Sequence, residues 1–172
     1  MALIALTVND AVEYVSDRDP CKVKNRVPVD PSDPKKGTKE EVEIKDGATR
    51  FYCKPLDVFL MGHIYDNASR LSGKSGSDEV GIHTRMNQTN IDAVRHGLSG
   101  FENFADKKGN AVVFKTVKAT VNGREYDVAA DSVLEALGIQ LIQELATEIK
   151  RISEVSAEEE KNSAEASLQS VS

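Results

Sequence analysis

Four of the chain's five prolines fall in one stretch, Asp17 to Glu41, as Asp19-Pro20, Val27-Pro28, Asp30-Pro31 and Asp33-Pro34. Each proline fixes its own φ and moves the residue before it out of the helical region, so no helix is expected there. Val23, Val27 and Val29 are the large apolar side chains of the stretch. They are too few to offset an ordering cost of about 1–2 kcal/mol per residue. The expectation is therefore an extended arm or loop over 17–41, ordered by a neighbouring chain. The rest of the sequence must supply the core.

It has material for one. Of 172 residues, 40% are hydrophobic, but only 5% are aromatic and none is Trp. One modest core with an arm and a tail fits that composition. The formal charge of -6 argues against general nucleic-acid binding, which needs clustered Lys and Arg against phosphate. No apolar run reaches the roughly 18 residues of a membrane span. The start MALIALTVND lacks a basic region, so no signal peptide is expected. Cys21 and Cys53 are far apart and form no C-x-x-C pair, which reads as two reduced thiols.

Periodicity predicts an α+β fold of two hairpins packed with about three helices. Leu3–Val8 reads as a strand, continued by Tyr14–Val15, within an N-terminal segment 1–16. The main domain spans 42–155. Its first hairpin is expected over Glu41–Lys54, around Asp46-Gly47. Pro55 opens a helix, Leu56–Leu71, in which Phe59, Leu60, Ile64 and Ala68 recur at helical spacing. Ser72–Gly76 ends it in a flexible loop, and Asn90–Leu98 is a second helix. Ala111–Val128 is a second hairpin, because Asn122-Gly123 suits the positive φ angles of a type I′ turn. Asp131 then caps a long helix, Ser132–Ser153, striped by Leu134, Leu137, Leu141, Leu145, Ile149 and Ile152. Residues 156–172 form an acidic and polar extension, with a capping box at Ser156-Ala157-Glu158-Glu159 and a terminal Ser163–Ser172 that alone would fray. The predicted core is Leu134, Leu137, Leu141, Leu145, Phe59, Leu60, Phe101 and Phe104.

Chemistry is sparsely marked. Gly73-Lys74-Ser75 matches the end of a phosphate loop, but a phosphate loop follows a buried strand and opens a helix. Here a helical pattern precedes it and a glycine-rich stretch follows. A small regulatory NTPase is therefore the weakest of three functional readings. His63, His83 and His96 lack any metal-ligand spacing. No nucleophile elbow occurs, and Glu158–Glu160 lies on a solvated end. No catalytic residue, metal or cofactor is expected.

What remains is the run Gly97-Leu98-Ser99-Gly100-Phe101-Glu102-Asn103-Phe104-Ala105-Asp106-Lys107-Lys108-Gly109. It reads as a helix exit, two phenylalanines that plug a junction, and a turn in which Asn103 and Asp106 bond local N–H groups. This corner resembles G-L-x-G-W-E-N-F-x-D-x-x-G in a group of small tailed-bacteriophage proteins encoded among virion-assembly genes. The order around it is similar: a strand and helix at Phe51–Asp66, E-L-x-x-x-I at Glu144–Ile149, and S-x-x-S-x-E-E-E-K-N-S at Ser153–Ser163. The chain departs from the pattern at Phe101, where the group has Trp, and in its longer N-terminal arm. The resemblance implies a non-enzymatic structural component of the virion at the capsid, neck or tail, or alternatively a tail-assembly chaperone absent from the mature particle. The implied partners are other virion proteins and copies of the same chain, with no membrane or sequence-specific nucleic acid. The implied location is the virion, and the host cytoplasm during assembly. Gly97, Phe101, Glu102, Asn103, Phe104, Asp106 and Gly109 would form a structural or interaction corner. Leu134, Leu137, Leu141, Leu145 and Ile149 would form an interface helix.

Overall fold

The structure is a computed structural model that describes the backbone of residues 10–66 and 79–169. Side-chain surroundings are described over 10–65 and 86–154, apart from Pro34. Its fold is α+β, with small antiparallel sheets against three helices. The expected strand at Leu3–Val8, the loop at Ser72–Gly76, and Gly73-Lys74-Ser75 lie outside the described residues.

The central sheet has the order β1 (Val12–Tyr14), β4 (Arg50–Cys53), β5 (Leu98–Glu102), all antiparallel. Alternation along β4 buries Phe51 and Cys53 and turns Arg50 and Tyr52 outward, the period-2 pattern of a half-buried strand. Tyr14 pairs with Phe51, and Phe51 with Phe101. A second sheet is the hairpin of β6 (Thr116–Val121) and β7 (Arg124–Ala129). Asn122 and Gly123 between them take φ of 50° and 77°, as a type I′ turn requires. Its strands begin at Thr116, whereas Ala111 makes an isolated bridge to Ala105.

The third sheet corrects two expectations. β2 (Lys22–Pro28) and β3 (Thr38–Ile44) form a hairpin with seven register pairs, from Lys22–Ile44 to Pro28–Thr38. Residues 17–41 thus hold β2 and the start of β3 rather than loop alone. β3 pairs with β2, and not with β4 across Asp46-Gly47. The prolines do not prevent this, because each stands where no ladder donor is needed. Pro20 precedes β2 and Pro28 ends it, while Pro31 and Pro34 belong to the connection, where Asp30 and Asp33 accept N–H bonds from Ser32 and Lys35.

α1 (Val58–Met61) widens into a π-helical turn, Gly62–Asp66. Its cap is Asp57, whose Oδ1 accepts the N–H groups of Phe59 and Leu60, so Pro55 stands ahead of the helix rather than in its first turn. Leu60 and Ile64 face the core. Phe59, expected there, is 52% exposed, with the Arg124 guanidinium 3.7 Å above its ring. α2 (Glu79–Gly97) starts well before the expected Asn90, and Leu98 opens β5 instead of ending it.

α3 spans Asp131–Gln169 with one break, at Gly138, where φ 72° and ψ 163° interrupt the helix. Glycine tolerates that conformation without a side-chain clash. The Ala130 carbonyl takes the N–H groups of Val133 and Leu134. Asp131 is therefore a first-turn acid rather than the cap, and it pairs with Arg95 at 2.6 Å. The break also shifts the helical phase. Leu134, Leu137, Leu145, Ile149 and Ile152 are buried as expected, but after Gly138 Ile142 enters the core while Leu141 stays half-buried on its rim. No new helix begins at Ser156, because the backbone continues through Gln169.

Candidate functional site

The corner after α2 is built from aromatic edges. Phe101 meets Phe104 at 5.1 Å between ring centres, Phe114 at 5.4 Å and Phe51 at 6.2 Å, and Phe51 meets Phe104 at 5.7 Å. All four contacts are edge-to-face, the geometry that aligns ring edges with ring faces. Four of the chain's five phenylalanines are spent on this one joint. Phe101 and Phe104, predicted to be buried, are half-buried and pack against the core.

Polar groups hold the corner to its neighbours. Asn103 takes φ 54°, donates from Nδ2 to the Ala48 carbonyl at 3.2 Å and accepts the Thr49 hydroxyl on its own carbonyl at 3.0 Å. Asp106 accepts the N–H groups of Lys108 and Asn110 on Oδ1 and the Asn110 amide on Oδ2. Those bonds, chiefly from Asn110, hold its carboxyl below the usual range. Gly109, with φ 82°, returns its N–H to the Asp106 carbonyl. Glu102 is exposed, and its hydrogen bond raises the Tyr52 phenol. Gly97 is pressed against Ile149 of α3, and its carbonyl accepts the Lys54 N–H at 2.8 Å. Gly97, Phe101, Asn103 and Phe104 thus join the sheet, α2 and α3, while Asp106 and Gly109 bond only within their own turn. Leu134, Leu137, Leu145 and Ile149, predicted to line an interface, instead fill this chain's own core, because α2 and the sheet already cover that face.

A second cluster was not foreseen. Glu144 Oε1 accepts the Tyr14 hydroxyl at 2.7 Å, the Ser16 hydroxyl at 2.8 Å and the Asp17 N–H at 3.1 Å. Burial first, then the bond to Glu144, push the Tyr14 phenol well above its ordinary value. Asp19 binds the Cys21 and Thr49 N–H groups, both at 2.8 Å. Partial burial raises its carboxyl, but those N–H bonds outweigh burial and hold it low. A shallow depression of about 260 Å³ lies here, lined by Ser16, Asp19, Thr49, Phe51, Phe104 and Glu144 among others. Glu144 stands 127–130 residues from its donors and Asp19 stands 30 from Thr49, separations that no local spacing marks.

These anchors hold the base of the β2–β3 hairpin. Lys22 Nζ reaches the Val15 carbonyl at 2.8 Å and Asp17 at 2.6 Å, and Lys24 pairs with Asp17 at 3.3 Å. Beyond the base, every residue of β3 is exposed. Val29 and Val42 stand about half out of contact, at 51% and 52%. The hairpin is a projection with a fixed root.

Both cysteines are free, Cys21 half-exposed and Cys53 buried. His63 is exposed and His96 buried, with Nδ1 2.9 Å from the Asp92 carbonyl. Among the described residues no three His, Cys, Asp or Glu side chains converge as a metal site, and no helix is long and apolar enough to cross a membrane. Comparison with protein families, curated proteins and solved structures found no match.

Proposed function

We propose that this chain is a non-enzymatic structural component of a tailed-bacteriophage particle, joining other virion proteins and copies of itself through the β2–β3 hairpin. The observation that carries this reading is the exposure of that hairpin. Seven residues of β3 and most of β2 face solvent, so the hairpin has no core of its own. An isolated two-stranded sheet is marginal in water, whereas one that docks gains main-chain bonds and buried area from its partner. The rigid corner and the Asp19 and Glu144 anchors suit a part that must present such an arm at a set angle. The phage assignment itself comes from the corner sequence and the order of elements around it.

Mass spectrometry of purified particles from a phage that encodes the chain tests the reading. Near-stoichiometric presence is the expected result. Presence in infected lysate with absence from particles would overturn it in favour of a tail-assembly chaperone. Hydrogen exchange supplies an independent check. Residues 22–44 should exchange quickly in the dilute monomer and slowly in the particle. Equal protection in both states would remove the hairpin from the contact.

A further inference from the structure

The two strands of the projecting hairpin carry opposite charge. β2 holds Lys22, Lys24 and Arg26 and no acid, whereas β3 holds Glu40, Glu41 and Glu43 against Lys39 alone. Among the described residues each strand is bonded on one side only, so there the hairpin shows a basic open edge and an acidic open edge.

Backbone geometry says which residues face those edges. At the base the Lys45 N–H bonds the Cys21 carbonyl at 2.9 Å, and at the tip the Val29 N–H bonds the Gly37 carbonyl at 3.0 Å. Antiparallel pairs alternate between bonded and non-bonded positions. Val23, Asn25 and Val27 therefore turn their amides toward β3, and Lys24 and Arg26 turn theirs outward. On β3 the outward positions are Thr38, Glu40, Val42 and Ile44. Arg26, Glu40 and Glu43 have no ion pair among the described residues.

We propose that the basic edge of β2 pairs, antiparallel, with the acidic edge of β3 of a second copy of this chain. In the register of the hairpin itself, Lys24 stands opposite Val42 and Arg26 opposite Glu40. The same register between copies brings Arg26 against Glu40 of the second copy and leaves it flanked by an acid on each side. Lysine and proline on an edge ordinarily discourage pairing. Here the complementary edge belongs to the same hairpin, so the charges that repel other strands attract this one. Each copy then uses one edge and offers the other. Such head-to-tail contacts close into a ring or run on as a filament.

Self-pairing rests on the assembly role proposed above, and sedimentation of the full-length chain separates the two. Concentration-dependent oligomers that weaken with added salt are expected. Arg26→Glu or Glu40→Arg alone should weaken association about tenfold, since each sets like charges directly opposite across the new pair. Mixing the two variants should restore it, because the Glu at 26 of one then meets the Arg at 40 of the other. A hairpin merely damaged by substitution would not be rescued by mixing. Val42→Pro removes an outward N–H and leaves the inner ladder intact, so it should abolish association without loss of strand signal in circular dichroism. A wild-type chain that stays monomeric at all concentrations, or single variants that associate like wild type, would overturn self-pairing. If mass spectrometry still finds the chain in particles, the virion role stands and the hairpin docks on a different protein.

Discussion

Gly97 is the position where one added carbon should do most damage. A Cβ there would lie 2.5 Å from Ile149 Cγ2, 2.9 Å from Cδ1 and 3.0 Å from Cγ1. Ile149 is fully buried and is surrounded by the rest of the core, and its branched Cβ leaves few rotamers for retreat. Overpacking of this kind costs about 1–3 kcal/mol. Alanine's better helix propensity returns at most about 1 kcal/mol at the end of α2. An approach of 2.5 Å belongs in the upper half of that overpacking range, so Gly97→Ala should destabilise the chain by about 1–3 kcal/mol. Urea unfolding followed by far-UV circular dichroism would show it as a lower midpoint at unchanged slope. Tm should drop by roughly 2–4 °C per kcal/mol for a chain of this size. The cause is isolated by a second substitution. Ile149→Ala alone should cost about 2–5 kcal/mol, but it removes all three clashing atoms. In that background Gly97→Ala should be neutral or slightly stabilising, with a coupling energy of about 1–3 kcal/mol. An equal penalty in both backgrounds, or a wild-type midpoint for Gly97→Ala, would refute the close packing of α2 on α3.

Burial pushes the Cys53 thiol from 9.0 up to about 12. Its stabilising contribution should therefore be full below pH 9 and decline progressively toward pH 12, as the unfolded thiol ionises first. Urea midpoints measured across that range should fall less steeply in Cys53→Ala, and a native thiol titration at pH 8 should label Cys21 well before Cys53. Glu144→Ala strips the acceptor from three donors and should cost about 1–3 kcal/mol by equilibrium unfolding, with Glu144→Gln recovering much of it. A change below half that range would mean that water replaces Glu144 there. Gly123→Ala meets no atom within 4 Å, so its cost is conformational. About 1–2 kcal/mol is expected for a left-handed alanine, read by thermal unfolding, with the β6–β7 register kept.

Local chemistry decides what local sequence can announce. Asn122-Gly123 imposes its own turn, and the leucine repeat of α3 imposes its own buried face, so both were legible from residues a few places apart. The turn from Asp106 to Gly109 was legible for the same reason, whereas the strand at Leu98–Glu102 and the Asn103 bond to Ala48, expected as a helix end and a local N–H bond, were not. Asp106 and Asn110 bond within five residues, and two phenylalanines stand three apart. Strand partners were not legible. Polar alternation in β3 fits a hairpin with β4 as well as one with β2, and only the competition among strands gave β4 to β1 and β5. The prolines of 17–41 excluded α-helix but neither a 3-10 turn at Pro34–Lys36 nor strand, because an edge position needs no inward N–H. Glu144 gained its three donors through contacts some 130 residues apart in sequence. One φ at Gly138 turned Leu141 to the rim and Ile142 into the core. Short-range rules specify helices and turns because their bonds close within a few residues. Pairing, phase and anchoring depend on which distant surfaces win burial, and the folded chain alone settles that.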